Sequence, residues 1–165
     1  NYLHSKELEN IVVVSPDVGG VKMASAYATA LGASLAIVVK KRKSATETEA
    51  SHVIGDVYGR NVLIVDDLTE TAGTITNAAA ILRDRGAQEI YAGISHAVLT
   101  DLAVERLKNS AIKELITTDS TPVHSGAVGC VKVLSVAELL GEGIKRIHDD
   151  ESVTSLFELK KKPAK

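Results

Sequence analysis

The strongest constraint on the fold of this chain is residues 61–74, which read NVLIVDDLTETAGT. The apolar run at 62–65 predicts a buried strand that ends at two consecutive carboxylates, and a helical pattern over 75–82 follows a short turn. In an open α/β sheet, ligands bind at the carboxyl ends of the strands, so a binding site is expected here. Small residues let backbone N–H groups approach an anion at a helix N-terminus. Carboxylates suit sugar hydroxyls or a hard cation. The stretch therefore predicts a sugar-phosphate site that also binds magnesium.

A purely structural role is the competing interpretation of the same residues. An isolated Asp66–Asp67 pair often does no more than end a strand, and Thr71 alone would be read as a helix cap. The whole string, with both carboxylates and the Thr- and Gly-bearing turn in sequence, favours the phosphate site.

The remaining chain predicts an α/β fold. Its 165 residues suit one domain with a single core. The composition is 45% hydrophobic but only 3% aromatic, so the core consists of Val, Ile, Leu and Ala, as in buried parallel strands. Strand patterns alternate with helical ones: a strand at 11–15, a helix at 21–31 and a strand at 35–39 form the first crossover unit, which implies parallel pairing. Further strands are expected at 53–57, 89–96, 113–117 and 131–134, and helices at 72–85, 102–107 and 136–148. Asp101 is a possible N-cap of the helix at 102–107, and Ser135 is expected to cap the helix at 136–148. We expect an open parallel sheet with helices on both faces.

Charge and cysteine content exclude several classes of function. A net charge of −2 gives no general attraction to nucleic acid or to a membrane. No apolar run approaches the ~20 residues that a membrane span needs. The one cysteine, Cys130, rules out an internal disulfide and fits the reducing cytoplasm. We expect a cytoplasmic protein that binds neither nucleic acid nor membrane.

Two other segments contribute candidate site residues. Asp17 ends the first predicted strand just before a glycine turn, where a turn or N-cap role and a ligand role are equally compatible with the local sequence. The basic run KKRK at 40–43 follows the predicted strand at 35–39, and the polar segment at 44–50 predicts a mobile loop. Such a cluster either is simply solvated or closes over phosphates.

These motifs resemble those of one family. The string at 66–74 resembles the phosphoribosyl-diphosphate loop of the type I phosphoribosyltransferase fold, in the version DDMIDTAGT of ribose-phosphate pyrophosphokinases. Glu70 replaces the last Asp of that version, which keeps the charge and adds a methylene. The positions that match are Asp66, Asp67, Thr71, Ala72, Gly73 and Thr74. The segment SPDVGG at 15–20 resembles the family's SPDxGG, which implies a magnesium site at Asp17.

The basic run resembles the catalytic flexible loop of the same family, DKRRP. The resemblance implies that Lys40 is the catalytic lysine and that Arg42 stabilises the transferring phosphates. Val39, Lys41 and Lys43 depart from the pattern.

The likeness runs from about residue 10 to residue 157 and corresponds to the second of the family's two domains. It implies a domain at 1–157, with the first domain absent and a charged tail at 158–165. It also implies a ribose-phosphate diphosphokinase, which transfers diphosphate from ATP to the 1-hydroxyl of ribose 5-phosphate with Mg²⁺, and yields phosphoribosyl diphosphate and AMP. The substrate-binding residues are then Asp66, Asp67, Glu70, Thr71, Ala72, Gly73 and Thr74.

The family forms dimers that assemble into hexamers, so a homo-oligomer is implied for the full-length protein. This chain alone is expected to be weakly active or inactive. Two alternatives stay open at this point: a non-catalytic regulatory or associated relative, because the basic loop departs from the pattern, and a nucleobase phosphoribosyltransferase, which shares the phosphate loop.

Overall fold

The computed structural model describes residues 2–6, 8–41, 50–123, 125–127 and 129–157. These residues form five α-helices and seven strands, together with short 3-10 turns at Ser125–Ala127 and Thr154–Phe157. The helices are α1 (Tyr2–Ser5), α2 (Val21–Leu31), α3 (Gly73–Asp84), α4 (Asp101–Lys108) and α5 (Ala137–His148). The strands are β1 (Ile11–Ser15), β2 (Ser34–Lys41), β3 (Ala50–Ile54), β4 (Asn61–Thr69), β5 (Ile90–Ala97), β6 (Ile112–Thr118) and β7 (Val131–Leu134).

The strands form one sheet in the order β3-β2-β1-β4-β5-β6-β7. All neighbouring pairs are parallel except β2 with β3, which are antiparallel. From β1 the chain moves outward to β2 and β3, and then returns to the other side of β1 as β4. The strand order therefore reverses between β1 and β4, and the carboxyl ends of these two strands border the crevice where such sheets bind ligands.

Helices pack on both faces of the sheet. Alternate residues of one strand point to opposite faces, so Val12 and Val14 join the cluster that α3 and α4 cover, whereas Val13 joins the cluster under α2. The strands β1 and β4 have four consecutive fully buried residues each, as expected for strands covered on both sides. The expected open α/β sheet with helices on both faces is confirmed.

Several predicted elements have the bounds that the sequence indicated, namely β1, α2 and β7. The prediction for β3 was wrong in position, because the strand ends at Ile54 and not at Val57. Gly55 follows the strand with a φ of +106°, and a Cβ there would lie 2.7 Å from the Cβ of Ala36, so only glycine fits where the chain leaves the sheet. β3 also pairs antiparallel, at the outer edge of an otherwise parallel sheet.

The N-cap predictions were also partly wrong. Thr100 caps α4 with its side chain, which accepts a hydrogen bond from the Ala103 N–H at 3.3 Å, so Asp101 is the first helical residue and not the cap. Ser135 was expected to cap α5. Its Oγ accepts from the Ala137 N–H at 3.2 Å, but Val136 occupies the N-cap position.

The chain divides into two compact units, residues 1–134 and 135–165. In the second unit, Arg146 donates to Glu142 at 2.8 Å and to the Ser152 carbonyl at 3.2 Å, which joins α5 to the segment after it. The large apolar side chains of this unit that are exposed are Leu139, Leu140, Ile144, Ile147 and Phe157. The expected boundary of the phosphoribosyltransferase-like domain at residue 157 stays a prediction, and the tail at 158–165 lies outside the described residues.

Within the described part of the chain, no helix combines the length and the apolar character needed to cross a membrane.

Candidate functional site

Three carboxylates line the crevice between β1 and β4. Asp17 follows β1, and Asp66 and Asp67 lie near the carboxyl end of β4. The sequence predicted that the strand ends before these two carboxylates, but β4 extends to Thr69 and includes them. All three line one open cavity of about 600 Å³, together with Lys22 and Met23 of α2. The topology thus brings together residues that are about 50 positions apart in the sequence.

Asp17 has a structural role as well as a place in the cavity. Its Oδ1 accepts hydrogen bonds from the N–H groups of Gly19 at 2.8 Å and Gly20 at 3.1 Å, which fixes the turn into α2. Buried Ser15 donates its hydroxyl to the Asp17 carbonyl at 2.6 Å. Both backbone donors bind the same carboxylate oxygen, so the turn interpretation and the ligand interpretation are compatible.

Asp66 is the least solvated of the three carboxylates. Burial raises its pKa above the usual value for Asp, and repulsion from the Asp67 and Asp17 carboxylates raises the pKa further. The Asp67 N–H donates to Asp66 Oδ1 at 3.0 Å and partly offsets these effects. A cation bound among these carboxylates would relieve the repulsion that raises the pKa of Asp66.

The turn after β4 leads into α3 through a residue with left-handed backbone geometry. Ala72 occupies the N-cap position with φ 55° and ψ 7°, and its own side chain makes no cap hydrogen bond. A left-handed residue beside helical ones is the arrangement that turns successive N–H groups to one side as an anion site. The Ala72 carbonyl accepts hydrogen bonds from the Thr76 N–H at 3.0 Å and from Thr76 Oγ1 at 2.8 Å. Both donors belong to α3, so this carbonyl oxygen points into the helix.

We call residues 69–74 the phosphate loop. Its carbonyl groups bind the neighbouring segment of chain: the Thr69 carbonyl accepts from the Val98 N–H at 2.9 Å, and the Glu70 carbonyl accepts from the Thr100 N–H at 3.2 Å. The Thr71 carbonyl accepts from Arg106 Nη1 of α4 at 3.0 Å. Three successive carbonyl groups thus point to the β5–α4 side of the loop. The side chains of Glu70, Thr71 and Thr74 are exposed.

The structure places only part of the predicted basic cluster. The backbone of Lys40 lies inside β2, paired with Ser51 of β3, and not in a loop after the strand, because β2 extends to Lys41. The side chain of Lys40 is outside the described part of the structure, as are Arg42 and the rest of 42–49. The catalytic roles of Lys40 and Arg42 stay predictions.

The donor set at the crevice fits magnesium when substrate oxygens complete it. Carboxylates are hard oxygen ligands, and magnesium is commonly bound by one or two of them plus water and substrate phosphates. In the described ranges, no three His, Cys, Asp or Glu side chains lie close enough together to form a metal site by themselves. Asp17, Asp66 and Asp67 would therefore share the ion with a phosphorylated ligand.

Two residues at this site were missed by reasoning from the sequence. Lys22 lines the same cavity as the carboxylates because α2 starts directly after the glycine turn. The position of Lys22 in the first turn of α2 could have indicated this placement, since side chains in the first turn of such a helix lie near the carboxyl end of the preceding strand. No local signal points to Arg106, whose contact with the phosphate loop depends on the packing of α4.

A sheet whose strand order reverses between β1 and β4, with acidic β4 leading into a left-handed turn and α3, has the fold of the type I phosphoribosyltransferase class. Residues 47–158 match the family described as the phosphoribosyl synthetase-associated domain, and the chain belongs to this family.

Similar proteins agree with this assignment. The chain is 48% identical over 159 residues to a ribose-phosphate pyrophosphokinase of Nostoc sp., a match that covers 95% of this chain and 48% of that protein. The crystal structure of phosphoribosylpyrophosphate synthetase from Mycobacterium smegmatis superposes with a TM-score of 0.81 at 34% identity, and the match covers 90% of this chain and 48% of that one.

One further solved structure is similar in fold alone. The APRTase of Giardia lamblia superposes with a TM-score of 0.56 at 18% identity over 70% of this chain and 72% of that one. The chain spans about half the length of the ribose-phosphate pyrophosphokinases that it matches.

Proposed function

We propose that this chain is the ribose 5-phosphate-binding part of a ribose-phosphate diphosphokinase. The observation that carries the proposal is the continuous path from the Asp66–Asp67 pair through the left-handed Ala72 to the N-terminus of α3, at the crevice between β1 and β4. Anions bind at helix N-termini because the first N–H groups lack partners and the helix dipole favours negative charge. Membership of the synthetase-associated family and the similarity to named ribose-phosphate pyrophosphokinases support the choice of sugar phosphate.

The phosphate loop is proposed to bind the 5-phosphate. Its backbone N–H groups at Ala72, Gly73 and Thr74 and the hydroxyls of Thr71 and Thr74 are donors. These residues are small or carry a single hydroxyl, so the phosphate can approach the backbone closely.

The carboxylates are proposed to bind the sugar and the cation. Asp66 and Asp67 would accept hydrogen bonds from ribose hydroxyls. Glu70, in the phosphate loop, would be a third carboxylate that contributes to substrate binding. Asp17, with Asp66 and Asp67, would hold Mg²⁺ together with substrate oxygens. The bound ion neutralises charge on the phosphate oxygens of ATP.

The proposed reaction is an in-line transfer of diphosphate. The 1-hydroxyl oxygen of ribose 5-phosphate attacks the β-phosphorus of ATP, the bond from that phosphorus to the α,β-bridging oxygen breaks, and AMP leaves. The hydroxyl proton is released, so the products are phosphoribosyl diphosphate, AMP and a proton. Such transfers depend on positioning and charge stabilisation more than on covalent chemistry. Lys40 and Arg42 would stabilise the charge of the transferring group.

The direct test is calorimetric titration of the chain with ribose 5-phosphate, with and without Mg²⁺. We expect saturable binding that Mg²⁺ strengthens and that Asp66→Ala abolishes. Asp84→Ala, a change at the far end of α3, is the matched control and is expected to bind as wild type. Absence of binding to the wild-type chain, or equal binding by Asp66→Ala, would contradict the proposal.

Two further assays address turnover and the alternative chemistries. The isolated chain spans half the length of its relatives, so we expect ribose 5-phosphate binding with little AMP formation from ATP, and rapid AMP formation would refute that expectation. Release of pyrophosphate from phosphoribosyl diphosphate and a nucleobase would instead identify a nucleobase phosphoribosyltransferase. A homo-oligomeric state of the longer protein, dimeric or hexameric, and a cytoplasmic location stay predictions. Sedimentation measures the first, and fractionation of cells measures the second.

A further inference from the structure

Arg106 contacts the phosphate loop from a different element. It lies on α4, 35 residues after Thr71, and its Nη1 donates to the Thr71 carbonyl at 3.0 Å. A Cβ added at Gly73 would lie 3.0 Å from the same nitrogen. The guanidinium group therefore packs directly on the backbone at the start of α3, where a larger residue than glycine would displace it.

The bond to Thr71 determines which way the loop's N–H groups point. The described peptide bonds are all trans. In a planar trans peptide the carbonyl of one residue and the N–H of the next point in opposite directions. Because Arg106 holds the Thr71 carbonyl toward α4, the Ala72 N–H points away from α4. Bonds from the Val98 and Thr100 N–H groups fix the two preceding carbonyls to the same side.

The left-handed residue makes this restraint necessary. A non-glycine residue with φ near +55° is disfavoured by contacts of its own Cβ, and Ala72 adopts that conformation as a buried residue. Rotation of the peptide between Thr71 and Ala72 would relieve the conformation. It would also turn a carbonyl oxygen toward the anion and remove one donor. An interaction that holds the Thr71 carbonyl outward opposes this rotation.

We infer that Arg106 is a positioning residue for the phosphate loop and acts through the Thr71 carbonyl without touching the substrate. The inference rests on the proposed function, since the loop is taken to bind the 5-phosphate. Arg106 is an exposed residue of α4, but its proposed role does not depend on surface charge. Its hydrogen bond keeps the first N–H donors of the loop aligned before the phosphate binds.

The experiment compares Arg106→Ala with Arg83→Ala. Arg83, on α3, lines the same groove between α3 and α4, so it is a control for the loss of a positive charge at this surface. Two quantities are measured in each chain: the Kd of ribose 5-phosphate by calorimetry, and the hydrogen-exchange protection of the Thr76 amide, which donates to the Ala72 carbonyl at 3.0 Å.

We expect Arg106→Ala to weaken ribose 5-phosphate binding by about tenfold, the effect of one charge-assisted hydrogen bond. We also expect it to lower Thr76 protection, and we expect millimolar guanidinium ion to restore part of both. Arg83→Ala should change neither. Arg106→Lys keeps the charge but not the planar donor group, so it should recover only part of the affinity.

Two results overturn the inference. The first is that Arg106→Ala matches Arg83→Ala in both measurements. The second is that Arg106→Lys recovers full ribose 5-phosphate affinity while Thr76 protection stays low, because charge alone would then explain the loss of affinity in Arg106→Ala. The exchange measurement needs no ligand and separates this inference from the proposed function. A wild-type chain that fails to bind ribose 5-phosphate refutes the function, whereas lowered Thr76 protection in Arg106→Ala still supports the restraint on the loop.

Discussion

Gly20→Ala is expected to destabilise the wild-type chain but not a chain that also carries Ser15→Ala. Gly20 has φ −81° and ψ 0°, which alanine adopts without strain. A Cβ at this position, however, would lie 2.8 Å from Oγ of Ser15. That hydroxyl is buried and donates to the Asp17 carbonyl at 2.6 Å. The new methyl group must therefore break this hydrogen bond or move the start of α2.

The magnitude follows from two opposing effects. Loss of a buried hydrogen bond costs about 1–3 kcal/mol, whereas Gly→Ala at a permitted backbone conformation stabilises by about 0.4–1 kcal/mol through the unfolded chain. In the wild-type background, Gly20→Ala should lower the free energy of unfolding by about 1–2 kcal/mol. In a Ser15→Ala background the clashing oxygen is absent, so the same change should be neutral or stabilise by up to about 1 kcal/mol.

The assay is urea unfolding followed by far-ultraviolet circular dichroism on the wild type, both single variants and the double variant. The difference between the two effects of Gly20→Ala is the coupling energy of the pair, expected at about 1–3 kcal/mol. Equal destabilisation in both backgrounds would refute the steric argument. Because Ser15 fixes the turn that carries Asp17, the magnesium-dependent part of ribose 5-phosphate binding should weaken in Gly20→Ala as well.

Three other changes test separate parts of the structure. Burial raises the pKa of Asp66, so the Asp66 carboxyl binds a proton more tightly in the folded chain than in the unfolded chain. This difference stabilises the folded chain fully at pH values below the unfolded pKa, and the stabilisation is lost as the pH rises through the folded pKa. Asp66→Asn should remove that pH dependence in urea unfolding measured across the acidic range, and an unchanged profile would contradict the assignment. Leu63→Ala removes a fully buried side chain and should lower the free energy of unfolding by about 2–5 kcal/mol; a loss below that range would mean that the core refills the cavity. Gly141→Ala lies inside α5, with nothing within 4 Å of the new methyl group, and should stabilise by about 0.5–1 kcal/mol in thermal unfolding. A fall in Tm would show a contact that the helix by itself does not reveal.

Local sequence patterns predicted the elements whose limits depend on neighbouring residues. α2 begins after the Gly19–Gly20 turn and ends at Leu31, and Gly32 is its C-cap, with a φ of 62° and an N–H that donates to carbonyls of the last helical turn. β1 and β7 have the bounds that their short apolar runs indicated. The prediction of a phosphate loop at 69–74 is also a local one, because it depends on consecutive small and hydroxyl-bearing residues after a carboxylate pair, and it stays a prediction.

Tertiary contacts decided the features that the patterns did not predict. Thr100 and not Asp101 caps α4, because the Thr100 hydroxyl reaches the Ala103 N–H while its own N–H donates to the Glu70 carbonyl of the phosphate loop. β2 includes Lys40, because antiparallel pairing with β3 extends the strand beyond its apolar segment. Both outcomes depend on partners at a distance in the sequence.

The sequence by itself determined that this is an α/β chain and predicted a sugar-phosphate loop after its central strand, since strand and helix periodicity and the order of residues 66–74 are local properties. Only the tertiary structure decided that Asp17 joins Asp66 and Asp67 in one cavity, and that Arg106 holds the loop from behind. The physical reason is that these groups meet through the reversal of strand order between β1 and β4 and through the packing of α4. Neither the reversal of strand order nor the packing of α4 is encoded in any single stretch of residues.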